Sequence, residues 1–292
     1  MSAYSVWAME YAHVPNYPLS SLVYGAHNQG HRRLPYNYIV IKGQGHVAMV
    51  DVGYNHKAYG KVLAETFGVQ GWHPPVTVLA ECGIKPADVS RILLTHAHFD
   101  HMGNIGDFPN ATFYIQEREL SKWVWAMSLE RRFRWLTLAV DPADILRTVE
   151  LARDRRLVCV DGDRENVLPG IDLHAAPDSH TWGSMYVRLR NDLEAKSQDS
   201  FVFAGDLVYT YENLRGWKPE DPEYLPIGLA VGSQYNLVMT TEAMVKHVDG
   251  DIKRVIPFHE ERLKDHYSSR ATSAGLRITE LALADGEPSR VR

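Results

Sequence analysis

Arg91-Ile92-Leu93-Leu94-Thr95-His96-Ala97-His98-Phe99-Asp100-His101-Met102-Gly103 decides how the rest of this 292-residue chain is read. Arg91 to Thr95 is short and mostly apolar, which predicts a buried strand. It runs directly into His-x-His-x-Asp-His, three imidazoles and a carboxylate within six positions. A buried strand that ends in such a cluster delivers it to a loop at a sheet edge, where ligand sites form. Alternate side chains of an extended segment share a face, so His96 and His98 converge on one cation. Asp100 and His101 reach a second cation as the chain turns, and Met102-Gly103-Asn104 permits the turn. Neutral imidazole and carboxylate suit Zn²⁺ first, with Mn²⁺ or Fe²⁺ as alternatives.

Four side chains do not complete two metal sites, so more ligands are expected downstream. His180 lies in the turn Pro177 to Gly183, Asp206 ends the apolar run Phe201 to Gly205, and His259 ends Val255 to Phe258. Alone, each reads as a cap or a surface residue. After an incomplete cluster they read as the missing ligands. Two divalent cations carry +4, while Asp100, Asp206 and a bridging hydroxide return −3. The remaining charge of about +1 favours an anionic transition state, and coordination lowers the pKa of bound water toward about 7.

Outward from the cluster, Asn37 to Lys42 and His46 to Val52 predict a hairpin, and Pro75 to Cys82 a helix stopped by Gly83. Further strands are expected at Ala111 to Gln116, Leu157 to Val160, Ile171 to Ala175, Met185 to Leu189, Phe201 to Ala204 and Lys253 to Pro257. Glu117 to about Val140 lacks Pro and Gly and predicts a helix or helix pair. Asp141-Pro142 then starts a helix through about Arg153, and Tyr235 to Val248 predicts another. Strands with helices between them indicate an α/β (α+β) layered fold. No linker-like stretch is visible, so one domain is expected over residues 1–292, with a helical insert at about 117–156 and a loose end from Ala284 to Arg292.

Composition sets the wider frame. Apolar residues are 45% and charged residues 23%, ordinary for a globular protein, with 14 histidines the unusual count. Lys plus Arg is 31 and Asp plus Glu 36, a net −5, which argues against a nucleic-acid partner. The basic clusters at Arg131-Arg132-Arg134 and Arg153-Arg155-Arg156 read as solvated helix faces. Cys82 and Cys159 sit in apolar company and read as buried free thiols. No signal peptide and no membrane span are read from the sequence, so a cytoplasmic setting is expected.

The ordered set Asp51-Val52-Gly53, His96-x-His98-x-Asp100-His101, His180-Thr181, Gly205-Asp206 and His259 resembles that of the metallo-β-lactamase superfamily. The resemblance spans Asp51 to His259 and implies a four-layer αββα sandwich with a dinuclear site at the edge of its two sheets. It implies that His96, His98 and His180 hold one metal, and that Asp100, His101 and His259 hold the other, with Asp206 bridging. Asp206-Leu207-Val208-Tyr209 further resembles the Asp-x-x-Tyr of N-acyl-homoserine lactonases and of 4-pyridoxolactonase-type bacterial lactonases, where the phenol hydrogen-bonds the lactone carbonyl. A neutral donor beside the metals also helps stabilise an oxyanion on physical grounds. Tyr209 as a half-buried packing residue, with Tyr211 close by, is the competing reading. Ser179-His180 replaces the usual Gly-His of the family, and the insert looks larger than in a compact lactonase.

The expectation is a dinuclear metal hydrolase, first a lactonase, with Asp100 passing a proton to the leaving alkoxide. Cyclic amide, imide, thioester or phosphodiester hydrolysis forms the runner-up, and an iron-dependent persulfide dioxygenase a further alternative. Trp123, Trp125 and Trp135 fall within thirteen residues; they either pack the insert or, with Trp182 and Trp217, meet an apolar or aromatic small-molecule substrate. A homo-oligomer is compatible with the same rings.

Overall fold

A computed structural model describes residues 2–292. The strands are β1 (Tyr4–Pro18), β2 (His31–Gly43), β3 (His46–Val50), β4 (Arg91–Leu93), β5 (Thr112–Gln116), β6 (Leu157–Val160), β7 (Arg164–Leu168), β8 (Ile171–Pro177), β9 (Gly183–Arg190), β10 (Ser200–Phe203), β11 (Val255–Ile256), β12 (Ser268–Ala271) and β13 (Arg277–Ala282). The helices are α1 (Leu19–Leu22), α2 (Ala58–Phe67), α3 (Pro75–Ala80), α4 (Phe99–Met102), α5 (Glu117–Met127), α6 (Pro142–Arg153), α7 (Tyr211–Arg215) and α8 (Gln234–Lys246).

Two sheets carry the fold. One has eight strands in the order β12-β13-β1-β2-β3-β4-β5-β6, the other five in the order β11-β10-β9-β8-β7. The first is antiparallel through β3 and parallel from β3 to β6. Side chains of both sheets share one hydrophobic core, and Met185 N–H donates to Thr95 O at 2.9 Å where they meet. Helix α3 packs on β1, α6 on β6 and α8 on β8, while α5 touches both β5 and β9. This is the α/β arrangement of two sheets with outer helices that the sequence predicts. Among the described residues no helix is long and apolar enough to cross a membrane.

Several expectations need correction. Of the helix or helix pair expected over 117–140, the first member is α5, which ends at Met127, and the second is only a 3₁₀ turn over Arg131–Thr137. A straight helix advances 1.5 Å per residue away from the motif. Instead the chain folds back, and Phe99 N–H donates to Ala139 O at 2.9 Å. Asp141 caps α6 through Ala143 N–H, as its sequence implies. Cys159 is exposed, because β6 is an edge strand and alternate residues there face solvent. The stretch from Ala284 to Arg292 is tied down by Lys42–Glu287 at 2.8 Å and by Arg290 N–H to Glu280 at 3.0 Å. Strands β1, β7, β12 and β13 and helix α2 were not expected from the sequence.

Candidate metal centre

Every sequence-read ligand stands just beyond the C-terminal end of a strand, the usual place for sites in α/β folds. His96 and His98 follow β4, and His98 is the N-cap of α4, whose first turn carries Asp100 and His101. His180 lies between β8 and β9, Asp206 in the 3₁₀ turn after β10, and His259 after β11. The turn at Gly103 is possible only without a side chain: a Cβ there would lie 2.7 Å from Tyr54 Cα and 2.8 Å from Asn55 N.

The structure brings all seven residues together as two groups, His96, His98, His180 and Asp206, and Asp100, His101, Asp206 and His259. Within each group the donor atoms lie within 4.8 Å of one another. Asp206 belongs to both groups and divides its oxygens between them. Its Oδ1 is 3.0 Å from Nε2 of His101 and of His259, and its Oδ2 is 3.4 Å from Nε2 of His180 and 3.7 Å from that of His96. On the first side, His98 Nδ1 lies 3.1 Å from His96 Nε2 and 3.0 Å from His180 Nε2.

Outer partners fix the imidazoles. Nδ1 of His101 meets Asp51 at 2.7 Å, that of His180 meets Leu229 O at 3.0 Å, and that of His259 meets Pro35 O at 2.8 Å. Carbonyl and carboxylate oxygens only accept, so each Nδ1 carries a proton and each Nε2 is left facing inward, where it can offer its lone pair to a cation. Asp51 also takes Thr95 N–H and Thr95 Oγ1–H, both at 2.7 Å, from a backbone φ of 60° that only a minority of non-glycine residues adopt. That strained position turns both of its oxygens toward the β4 loop and His101.

The electrostatics fit a cation. Burial, then the neighbouring imidazoles, hold His96 and His98 well below the usual histidine range, and burial lowers His180 to about 4. All three are neutral at pH 7, as ligation requires. Burial alone would raise Asp206, but His101 and His259 beside it win and hold it ionised. His101 Nε2 is buried without an aligned hydrogen bond, although Asp206 and Asp100 lie 3.0 and 3.6 Å away. An orphaned imidazole nitrogen facing two carboxylates is what a metal ligand looks like before its cation is counted. The residues therefore fit a pair of divalent ions.

The centre opens into a cavity of about 100 Å³. Tyr209 lines it, with its ring 5.2 Å from that of His259 and 5.9 Å from that of His180. Burial and then Asp206 push its phenol well above the usual range, so it remains a neutral donor. Tyr211 points elsewhere, against His266. Of the five tryptophans read as substrate contacts, Trp135 lines the cavity and the others do not. Trp123 is fully buried behind His98 and against Trp182, while Trp125 packs on the outer side of Trp182. Trp217 also lies off the cavity. Tyr17, Tyr36, Phe67 and Leu229 are lining residues that the sequence did not single out. Tyr36 has a local signal, an aromatic on the face of β2 shared with Tyr38; the others have none.

A family model described as the metallo-beta-lactamase superfamily matches residues 31–259. An N-acyl homoserine lactonase of Bacillus cereus is 28% identical over 144 residues, 49% of this chain and 48% of that protein. The N-acyl homoserine lactonase AttM of Azorhizobium caulinodans is 57% identical over 37 residues, 13% of this chain and 14% of its own length. The chain thus aligns with about half or less of these relatives' length. A solved quorum-quenching N-acyl homoserine lactone lactonase superposes with a TM-score of 0.65 at 18% identity, covering 91% of this chain and 96% of that one, which is a likeness of fold.

Proposed function

Since the chain belongs to the metallo-β-lactamase superfamily, we propose that it is a dinuclear zinc hydrolase that opens the ring of a neutral lactone. The observation that carries this reading is the division of Asp206 between two imidazole sets in a cavity that Tyr209 lines. Two Zn²⁺ ions held by His96, His98 and His180 and by Asp100, His101 and His259, with Asp206 between, would supply Lewis acidity and a hydroxide near neutral pH.

The chain's own residues do the rest. Tyr209 donates its hydroxyl to the carbonyl oxygen as that oxygen gains charge. Asp100 accepts the proton that the water-derived nucleophile gives up and passes it to the departing alkoxide. Tyr17, Leu34, Phe67, Trp135, Leu229 and Val231 keep water from the ring and grip an apolar substituent. No Lys or Arg lines the cavity among the described residues, which supports an uncharged substrate over a phosphodiester. The whole chain works as one domain, with the 117–156 segment crossing the mouth of the site.

A hydrolysis panel on zinc-loaded protein tests this: acyl-homoserine lactones, aromatic lactones, cyclic amides and imides, thioesters and a phosphodiester, run with and without oxygen. A lactone is expected to give the highest kcat/KM. A preference for any other class, or a need for oxygen, overturns the reading.

A further inference from the structure

Glu119 lies on α5, outside both ligand groups, and is fully buried. It accepts four hydrogen bonds. Oε1 takes Ala97 N–H at 2.8 Å and Trp123 Nε1–H at 2.7 Å. Oε2 takes Thr181 Oγ1–H and Gly183 N–H, each at 2.7 Å. Ala97 stands between His96 and His98, and Thr181 follows His180. Apart from the ligands themselves, Glu119 is the one side chain among the described residues that hydrogen-bonds to both loops.

The packing is as tight as the bonding. A Cβ on Gly183 would lie 2.3 Å from Glu119 N and 2.7 Å from its Cα, so the first turn of α5 is wedged against the start of β9. Among the described residues no cation pairs with Glu119; four donors oppose its burial, which still holds the carboxyl above its usual range. A buried carboxylate held this way is costly to lose and rigid while kept. On the other side of the centre, Asp51 meets His101 directly.

We propose that Glu119 is a positioning residue for the His96–His98–His180 set, fixing the spacing of two loops that must bring three nitrogens to one point. This rests on the metal-centre reading above. Ligand geometry must hold to about 0.5 Å, and loss of an outer partner costs about 10–100-fold in metal affinity. Glu119→Gln keeps size but cannot keep the bonds. Its NH₂ must face either Ala97 N–H with Trp123 Nε1–H, or Gly183 N–H; donors oppose donors either way.

The test is a Zn²⁺ titration of the full chain against a chromophoric chelator, with the Co²⁺ visible spectrum as second readout and apo-protein melting as a control. In E119Q one of two affinities is expected to fall about 10–100-fold and the other to stay within about threefold, with the Co²⁺ bands of one site altered. Equal losses at both sites, or a lower melting temperature with both affinities intact, overturn the proposal. If E119Q does not fold, Trp123→Phe and Thr181→Val each remove one donor; a loss confined to one site in these supports it, and unchanged affinities overturn it. A parent protein that takes up no Zn²⁺ defeats the metal-centre reading itself, which separates the two failures.

Discussion

The rim of the centre and the segment that crosses it are built on opposite plans. On the rim, His101, His180 and His259 each turn one ring nitrogen to the centre and tie the other to an outer partner, Asp51, Leu229 O and Pro35 O. The crossing segment has few such bonds. Its outer part, residues 128–140, leaves Phe133, Trp135 and Leu138 exposed and reaches the motif through one backbone bond, Phe99 N–H to Ala139 O. Chemistry needs atoms held to fractions of an ångström, whereas substrate selection tolerates and even uses looser packing. Changes on the rim should therefore alter metal content and rate, and changes on the crossing segment should alter KM.

The largest effect belongs to Asp206→Ala. It removes the carboxylate shared by both imidazole sets, so two cations would repel each other across an emptied position. Loss of more than about 100-fold in affinity at both sites is expected, beyond what an outer partner costs, together with loss of hydrolysis. Metal analysis after dialysis checks it; two tightly held ions in this variant would break the picture of a shared rim.

Next comes Asp51→Asn. The amide can still accept from Thr95 N–H, but its NH₂ faces His101 Nδ1. His101 must then protonate at Nε2 to accept at Nδ1, which removes the lone pair that faces Asp100 and Asp206. Affinity at that site is expected to drop about 10–100-fold, with the smaller change at the three-histidine side. Zinc titration measures it. A uniform loss would mean that Asp51 acts through Thr95 and the β4 loop and not through His101.

What the sequence made legible follows the same division. Strand β4 and the ligands beyond it are local signals: an apolar run, then rare side chains packed into a few positions. Asp206 and His259 were readable because each closes an apolar strand. Strand β1 was not, because Tyr4 to Ala12 is buried on both faces, so no alternation shows, and its partner β13 lies at the other end of the chain. Glu119 follows Glu117 and Arg118, both exposed, and looks like another solvated helix acid. Only the tertiary fold, which lays α5 between β5 and β9, gives it four donors. A helix pair was readable over 117–140, but not the place of the break after Met127, since no Pro or Gly marks it.

Tyr209 stands where rim and cavity meet. Tyr209→Phe keeps the ring against His259 and His180 and removes one hydroxyl. The cost is expected at about 1.5–3 kcal/mol in kcat, the scale of one hydrogen bond to a charged group, with both metal affinities unchanged. An unchanged kcat on the preferred substrate would remove Tyr209 from the reaction and leave it as packing.

The finest comparison sets Trp123 against Trp135, twelve positions apart on the same segment. Trp123 is fully buried, donates to Glu119 and packs against His98 and Trp182. Trp123→Ala should cost about 3–5 kcal/mol of stability, as for a large buried aromatic, and should carry metal affinity down with it through Glu119. Trp135 is 62% exposed and lines both the catalytic cavity and the adjoining groove of Tyr59, Val62 and Leu63 along α2. Its removal exposes little that was buried, so stability should change by less than about 0.5 kcal/mol. What it removes is a wall shared by two apolar spaces. KM should rise by about 3–10-fold for substrates long enough to touch it, the scale of about 1 kcal/mol of lost apolar contact, and stay level for short ones, with kcat held. Melting temperature and kcat/KM measured on the same two variants across a chain-length series decide the matter. A length-independent KM in Trp135→Ala, or a stable Trp123→Ala with altered chain-length preference, would exchange the roles assigned to the two rings.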